Sequence, residues 1–314
     1  MVAWLQRIMT FSAFGATSGW LVYFSSIEPV WAWTGFVALA FGYSVIFAIE
    51  SGLARQMNKH DPVPRAAWRH LFSAWWGETL VAPQVFCWRQ PFKPNAIPDQ
   101  LGPQAQVLGR RGVVFVHGFF CNRGMWTPWL KLMQDRGNAF IAVDLTPLFG
   151  SIDSYAVQID NAVRRVSQAT GLAPLLVCHS MGGLAVRAWI KLMNGEPPVH
   201  HVVTIGTPHR GTWLARFGNG KNIRQMCLLS SWLAELNHDL PTNAHAHFTC
   251  WYSNCDNIVF PASNATLPGA VNRLVMGAGH VQLAFLPEVI YTTLAQLDDN
   301  TYPVDIVAKN IKNN

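Results

Sequence analysis

Leu175-Leu176-Val177-Cys178-His179-Ser180-Met181-Gly182-Gly183-Leu184 is the stretch on which the reading of this chain turns. Leu175–Cys178 is a short apolar, β-rich run, and Met181–Met193 has the apolar spacing of a helix. A strand that passes into a helix almost without a loop needs a sharp turn, and small residues beside it so that the two can approach. Gly182, two places after the serine, meets that need. Cys178, two places before it, is larger than glycine, so the turn is expected to be slightly opened but kept. Such a turn lifts the hydroxyl of Ser180 above the strand ends and aims the start of the next helix at it.

The same alternation extends on both sides. Val113–Val116, Phe140–Val143, Val202–Ile205, Phe248–Tyr252 and Leu274–Met276 are further strand-like runs. Met125–Asp135, Tyr155–Gln168 and Val281–Leu297 are helical stretches between or after them. Short continuous apolar strands separated by helices predict a mostly parallel sheet covered on both faces, an α/β fold. Ligands of such sheets sit at the carboxyl ends of the strands.

Three motifs fall at those ends. They are Phe115-Val116-His117-Gly118-Phe119-Phe120-Cys121-Asn122-Arg123-Gly124-Met125-Trp126, the serine turn, and Thr204-Ile205-Gly206-Thr207-Pro208-His209-Arg210-Gly211. Together they resemble the α/β-hydrolase superfamily, and within it bacterial lipases and esterases of the triacylglycerol-lipase type, over about Gln106–Leu297. The serine turn resembles that superfamily's nucleophile elbow, G-x-S-x-G, with Cys178 in place of the first glycine. The resemblance implies a serine, an acid and a histidine in that chain order. Downstream of His247 the one histidine is His280, on the glycine-rich Met276-Gly277-Ala278-Gly279-His280. Asp256 follows the run Phe248–Tyr252; Asp239, Glu196 and Glu235 stand in less suitable contexts.

The roles follow from acidity. A serine hydroxyl is a poor nucleophile at neutral pH, so His280 is expected to take its proton and pass it to the leaving group. Asp256 would hold the imidazole in the useful tautomer. The oxyanion of the tetrahedral intermediate needs preorganised N–H donors, expected from the backbone of Met181 and, by resemblance, of Phe119. His117 is read as a brace for its loop and His179 as a packing residue. The resemblance also implies a cap over Ser180, about 212–245. Phe120, Trp213, Leu214, Phe217, Leu229 and Trp232 are the candidates to line an acyl groove. The reaction implied is cleavage of carboxylic esters of lipid or other apolar acyl groups. The same three residues would also serve an acyl-thioesterase or an acyltransferase, and a catalytically silent scaffold is the alternative from another class.

The front of the chain lies outside this resemblance. Only 13% of the 314 residues are charged, against about a quarter in soluble domains. From Ile8 to Ile49 the sole charged residue is Glu28. Met9–Phe24 and Trp31–Ile49 each approach the roughly 20 residues needed to cross a bilayer core. A transmembrane helical hairpin over 1–50 is expected, in preference to a single span or a cleaved signal peptide. Arg7 precedes it and Arg55, Lys59, Arg65 and Arg69 follow. The positive-inside rule therefore puts the catalytic domain on the cytoplasmic side of a cell inner membrane. Gly15 and Gly19 are expected to pack on small residues of the second helix such as Ala38 and Gly42.

Residues 51–105 read as a connector. In it Trp68, Leu71, Phe72, Trp75 and Trp76 share one helical face, to be packed on the body or laid at headgroup level. A proline-rich extended segment, 83–105, follows, with an edge strand around Val85–Arg89. The catalytic domain is then 106–314. A net charge of +6 without a basic stripe and interleaved aromatics excludes a nucleic-acid site. No phosphate loop, zinc spacing or dinucleotide fingerprint occurs, so neither metal nor cofactor is expected. Of the six cysteines, Cys250 and Cys255 could pair, but buried free thiols suit a cytoplasmic domain better.

Overall fold

The computed structural model describes residues 1–102, 107–194, 197–240 and 245–298. The expected boundary at 105/106, Pro103, Glu196, residues 241–244 of the expected cap and the end of the chain lie outside the described residues.

The chain opens with two long helices, α1 (Val2–Ser25) and α2 (Pro29–Met57), joined by a short turn. Pro29 starts α2, where its missing N–H costs nothing. Among the described residues one helical stretch, Pro29–His60, is long and apolar enough to cross a membrane. α1 falls short of the second span expected, because Gln6, Arg7, Thr10, Ser12, Thr17 and Ser18 interrupt its apolar run. Nor do Gly15 and Gly19 mediate close packing: a Cβ on either, or on Gly42, would meet no atom within 4 Å. The contact runs through Trp20, whose ring occupies the space above Gly35 and whose Nε1 donates to Trp31 O at 2.9 Å.

α3 (Trp68–Pro83) follows. Its expected face divides. Leu71, Ala74, Glu78 and Ala82 are buried, whereas Trp68, Phe72, Trp76 and Leu80 are exposed, Trp68 at 73%. The strand expected at Val85–Arg89 does not form, and the extended connector begins only after Phe92. Gln84–Arg89 is a π-helical turn and Gln90–Phe92 a helical one. Pro83 has no N–H to offer the carbonyl of Thr79 four residues back, and that carbonyl accepts from Tyr43 OH of α2 at 3.0 Å. Helical geometry then continues with a widened turn and keeps Val85, Gln90 and Pro91 buried.

Among the described residues the sheet has six parallel strands: β1 (Val113–Val116), β2 (Phe140–Val143), β3 (Leu175–His179), β4 (His201–Ile205), β5 (Phe248–Ser253) and β6 (Val271–Val275), in the order β2-β1-β3-β4-β5-β6. Its helices are α4 (Thr127–Arg136), α5 (Ala156–Thr170), α6 (Met181–Leu192), α7 (Lys221–Gln225), α8 (Ser231–Asp239), α9 (His280–Leu283) and α10 (Pro287–Asp298). The helix expected over Val281–Leu297 is thus two, because Pro287 restarts it. Period-two alternation sends strand residues into two cores. Val114, Val116, Leu176, Cys178, Val202 and Phe248 meet α5, α6 and the cap helices α7 and α8. Phe115, Phe140, Val177, Val203 and Trp251 meet α4, α10 and Val85. The outer edge of β2 is closed by Gln100, which exchanges two backbone hydrogen bonds with Phe140.

The front of the chain is docked on this body. Gln6 Nε2 donates to Phe120 O at 3.1 Å and Arg7 Nε to Pro91 O at 2.6 Å. Trp75 Nε1 reaches Ser44 O at 2.7 Å. Asn58 Oδ1 accepts from Ala262 N at 2.9 Å, and Asp61 Oδ2 from Ser263 Oγ at 2.7 Å.

Candidate active site

β3 delivers Ser180 at a φ of 54°, a positive value that a side-chain-bearing residue adopts only when its surroundings enforce it. The enforcement is visible. Ser180 N donates to Ile205 O at 2.9 Å. A Cβ at Gly182 would collide with the carbonyl oxygens of Val116 and His117, so α6 can run this close to β1 only with glycine there. Gly118 passes Ser180 just as tightly: a Cβ on it would lie 2.8 Å from that of the serine. Cys178 is accommodated as a fully buried member of the core that α6 covers.

The strand ends of β5 and β6 bring up the other groups. Asp256, in the turn after β5, accepts from Ile258 N and Val259 N on Oδ1, both at 2.8 Å. Its Oδ2 lies 2.9 Å from His280 Nδ1. His280 begins α9, and its backbone N donates to Asn257 Oδ1 at 3.1 Å. Gly206, with φ 59°, leaves the room this pair needs, since a Cβ there would stand 3.0 Å from the imidazole Nδ1. Ser180 and His280 both line one cavity of about 370 Å³.

Electrostatics distinguish the histidines. Burial pulls the imidazolium of His280 down, but the charge and hydrogen bond of Asp256 outweigh it, and the pKa ends above 6.5. His179, whose ring is 4.6 Å from that of His280, is driven well below 6.5 by burial and by its neighbour. It is neutral and buried, with Nε2 3.1 Å from His280 O. His117 is also lowered by burial. Its Nε2 accepts from Leu145 N at 3.1 Å, which leaves the proton on Nδ1 to donate to Gly118 O at 2.8 Å. It ties the ends of β1 and β2 together, the bracing expected of it.

Met181 N starts α6 beside Ser180, and Phe119 lies on the cavity wall. Of the groove candidates, Leu214 lines the cavity. Phe120, Trp213, Phe217, Leu229 and Trp232 stand outside its lining. Phe120, at φ 56°, is turned with its carbonyl toward Gln6. Trp213 packs on Phe217 and Phe260, at centroid distances of 4.9 and 5.9 Å. Phe217 is 69% exposed and Leu229 98%. Trp232 Nε1 donates to Asp153, at 2.9 Å to Oδ1. Ala215, Ile223 and Met226 of the cap line the cavity instead.

Phe47 of α2, Glu78 and Ala82 of α3 and Phe86 of the π-helical turn complete the wall. Sequence reasoning missed all four. Glu78 alone left a signal, as the single acid of its helix. It is 2% exposed, and burial raises its carboxyl to about 7.

Residues 113–288 match a family described as the Alpha/beta hydrolase family. Among solved structures the chain is similar to Bacillus licheniformis lipase BlEst2 in its propeptide form, with a TM-score of 0.52 and 18% identity, covering 62% of this chain and 51% of that one. It is also similar to Aspergillus fumigatus lipase B, with a TM-score of 0.55 and 18% identity, covering 64% of this chain and 55% of that one. The chain thus spans about half the length of either lipase. At these identities the likeness is one of fold.

Proposed function

Because the chain belongs to the alpha/beta hydrolase family, we propose that it is a membrane-anchored serine hydrolase that cleaves carboxylic esters of lipid or other apolar acyl groups. Ser180 Oγ attacks the acyl carbonyl carbon while its proton passes to His280 Nε2. The carbonyl oxygen gathers negative charge against the N–H groups of Met181 and Phe119. When the C–O bond breaks, the leaving alkoxide takes the proton from His280, and the acyl group stays on Ser180. Water then attacks the acyl carbon, giving a proton to His280, and as the acyl–Oγ bond breaks that proton passes to Ser180 Oγ and the carboxylic acid is freed. Asp256 keeps the imidazole proton on Nδ1 throughout and stabilises the imidazolium.

The observation that carries this reading is the Asp256 Oδ2–His280 Nδ1 contact of 2.9 Å on the wall of the cavity that holds Ser180. The acyl preference is supported by that cavity's lining, in which Phe47, Phe119, Leu214, Ile223, Met226 and Val259 predominate over polar groups. Its volume lies in the roughly 300–1,000 Å³ range of small-molecule sites. A labelled fluorophosphonate should modify Ser180 in the folded protein. Medium-chain p-nitrophenyl esters should be hydrolysed, and both activities should vanish in Ser180→Ala. Hydrolysis that survives this substitution refutes the assignment.

Membrane association is supported by the outer reach of the first two helices. Phe11, Phe14, Val22, Val30, Val37 and Val45 are among the apolar side chains exposed there. An exposed apolar column of this extent suits lipid better than water. The contacts to the body are made from the start of α1 and from Glu50 and Asn58 at and just past the end of α2, so the turn between them is the far end. The exposed Trp68, Phe72 and Trp76 of α3 suit the headgroup layer. The basic residues that flank the helices, Arg7 before them and Arg55, Lys59, Arg65 and Arg69 after, support a catalytic domain on the cytoplasmic side by the positive-inside rule. Protease protection in sealed vesicles tests the orientation: a catalytic domain shielded with the outer compartment overturns it.

A further inference from the structure

We propose that Glu78, assisted by Glu50, is a positioning residue that holds His280 in place from outside the hydrolase fold. The inference rests on the reading of His280 as the general base. The first turn of any helix leaves backbone N–H groups without partners inside the helix, and in α9 the first of these belongs to His280 itself. Asn257 Oδ1 takes the N–H of His280 at 3.1 Å. Glu78 takes the next two: Val281 N at 3.0 and 3.1 Å from its two oxygens, and Gln282 N at 3.0 Å from Oε2. Asn257 is itself held, because its Nδ2 donates to Glu50 Oε2 at 2.8 Å. Both carboxylates come from the front of the chain, about two hundred positions upstream of the loop they grip.

The fit is close. A Cβ on Gly279 would stand 2.6 Å from Glu78 Oε2, and Gly77 leaves the space that the Gln282 side chain fills. Gln282 Oε1 in turn accepts from Gly279 N at 3.0 Å. Every backbone donor from Gly279 to Gln282 is therefore held by a side chain whose position depends on α2, α3 or α9, and that of Ala278 before them by Ser253 of β5.

A neutral acceptor would satisfy the same N–H groups with less desolvation, so the choice of a buried carboxyl asks for a reason. His280 supplies one. The groups facing it are Asp256, Glu78 and Glu50, with His179 held neutral on the other side. Burial raises the Glu78 carboxyl to about 7, so it is the ionised share of that group, and of Glu50, that favours the imidazolium formed when the serine proton is transferred. Helices α2 and α3 thus bear on the imidazole first by fixing its backbone and second, where their carboxyls are ionised, by biasing its charge.

The test uses the full-length protein in detergent, as wild type, Glu78→Gln, Glu78→Asp and Glu50→Gln. Each is measured for kcat and KM on a p-nitrophenyl ester along the acid limb of the pH profile, and for fluorophosphonate labelling of Ser180. Glu78→Gln should lower kcat about 10- to 100-fold, the loss that misplacing a catalytic group by about 1 Å produces, with little change in KM. Its acid limb should also move modestly to lower pH, because the share of Glu78 that is ionised near its raised value of about 7 no longer favours protonated His280. Glu78→Asp keeps the charge at shorter reach, so kcat should fall while the limb stays. Glu78→Gln with wild-type kcat and an unmoved limb overturns the proposal. If that variant does not fold, Glu50→Gln decides by the same two readouts, and wild-type values there overturn it. A wild type that resists the fluorophosphonate sinks the hydrolase reading and this proposal together. Labelled wild type with unaffected variants sinks this proposal alone.

Discussion

Replacing Asp256 by Asn exchanges one oxygen for an NH2 group and should nearly silence hydrolysis, for a reason that lies in the turn around it. Asp256 Oδ1 accepts from Ile258 N and Val259 N, both at 2.8 Å. In Asp256→Asn the amide oxygen must stay there. The flipped amide would set an NH2 group against two N–H donors and forfeit two hydrogen bonds, each leaving a buried donor unmet at about 1–3 kcal/mol. The NH2 therefore occupies the place of Oδ2, 2.9 Å from His280 Nδ1, and points a donor at it. The imidazole answers by carrying its proton on Nε2, the nitrogen that has to accept from Ser180. Wrong-tautomer substitutions of this kind lower kcat about 10⁴-fold, or roughly 5.5 kcal/mol of barrier. The assay is kcat on p-nitrophenyl octanoate with the purified full-length protein, accompanied by a thermal melt. A kcat within about tenfold of wild type, with the melt unchanged, would refute the role of Asp256.

Three further outcomes follow from the site. Because Asp256 raises the pKa of His280 above 6.5, the acid limb of kcat/KM should bend above that value, with activity lost as pH falls through it. The same raised pKa adds stability that is full below about 6.5 and fades as pH climbs through the folded value. A limb centred clearly below 6.5 counts against His280 as base. Gly182→Ala places a Cβ 2.7 Å from His117 O and closer still to Val116 O. Because backbone cannot yield as a side-chain tip can, calorimetry should show a loss of about 1–3 kcal/mol, and an unchanged melt denies the tight elbow. Ala82→Phe fills the wall that α3 gives to the cavity. Octanoyl esters should lose up to about 0.8 kcal/mol per methylene excluded while acetyl esters keep their rate. An equal effect on both places the acyl chain elsewhere.

Where the controlling interactions are local, the sequence was a good guide. The runs Val113–Val116 and Phe140–Val143 become strands with those very ends, because buried parallel strands are short and apolar on both faces. Ser180 sits in its sharp turn because Gly182 is the neighbour the turn requires. Chain order led to Asp256 and His280, which the structure sets within hydrogen-bonding distance. The failures share a cause, which is that they depend on what lies across the contact. Two different stripes of α3 are apolar enough to be buried, and the tertiary neighbours, Cys255 for Leu71 and α9 for Glu78, select these over Trp68 and Phe72. Val85–Arg89 has the β-branched and aromatic content of a strand, but Pro83 and Tyr43 keep it helical. The cap residues Ile223 and Met226 face the cavity while Phe217 and Leu229 face outward, although all four are equally apolar. Phe47 carries no mark of its use, since any residue of α2 could be apolar for the sake of lipid.

The seam between the opening helices and the sheet domain bears on any attempt to obtain a water-soluble form by trimming. Cutting the chain after Pro62 would remove the acceptors on Asn58 and Asp61 for the amides of Ala262 and Ser263, along with Phe47 from the cavity wall. The remnant would carry an open greasy trench and several orphaned amides, the marks of a protein that precipitates. Solubility is better sought by recoating the outward faces of α1 and α2 with polar side chains at Phe14, Val22, Val37 and Val45, positions that look away from the body.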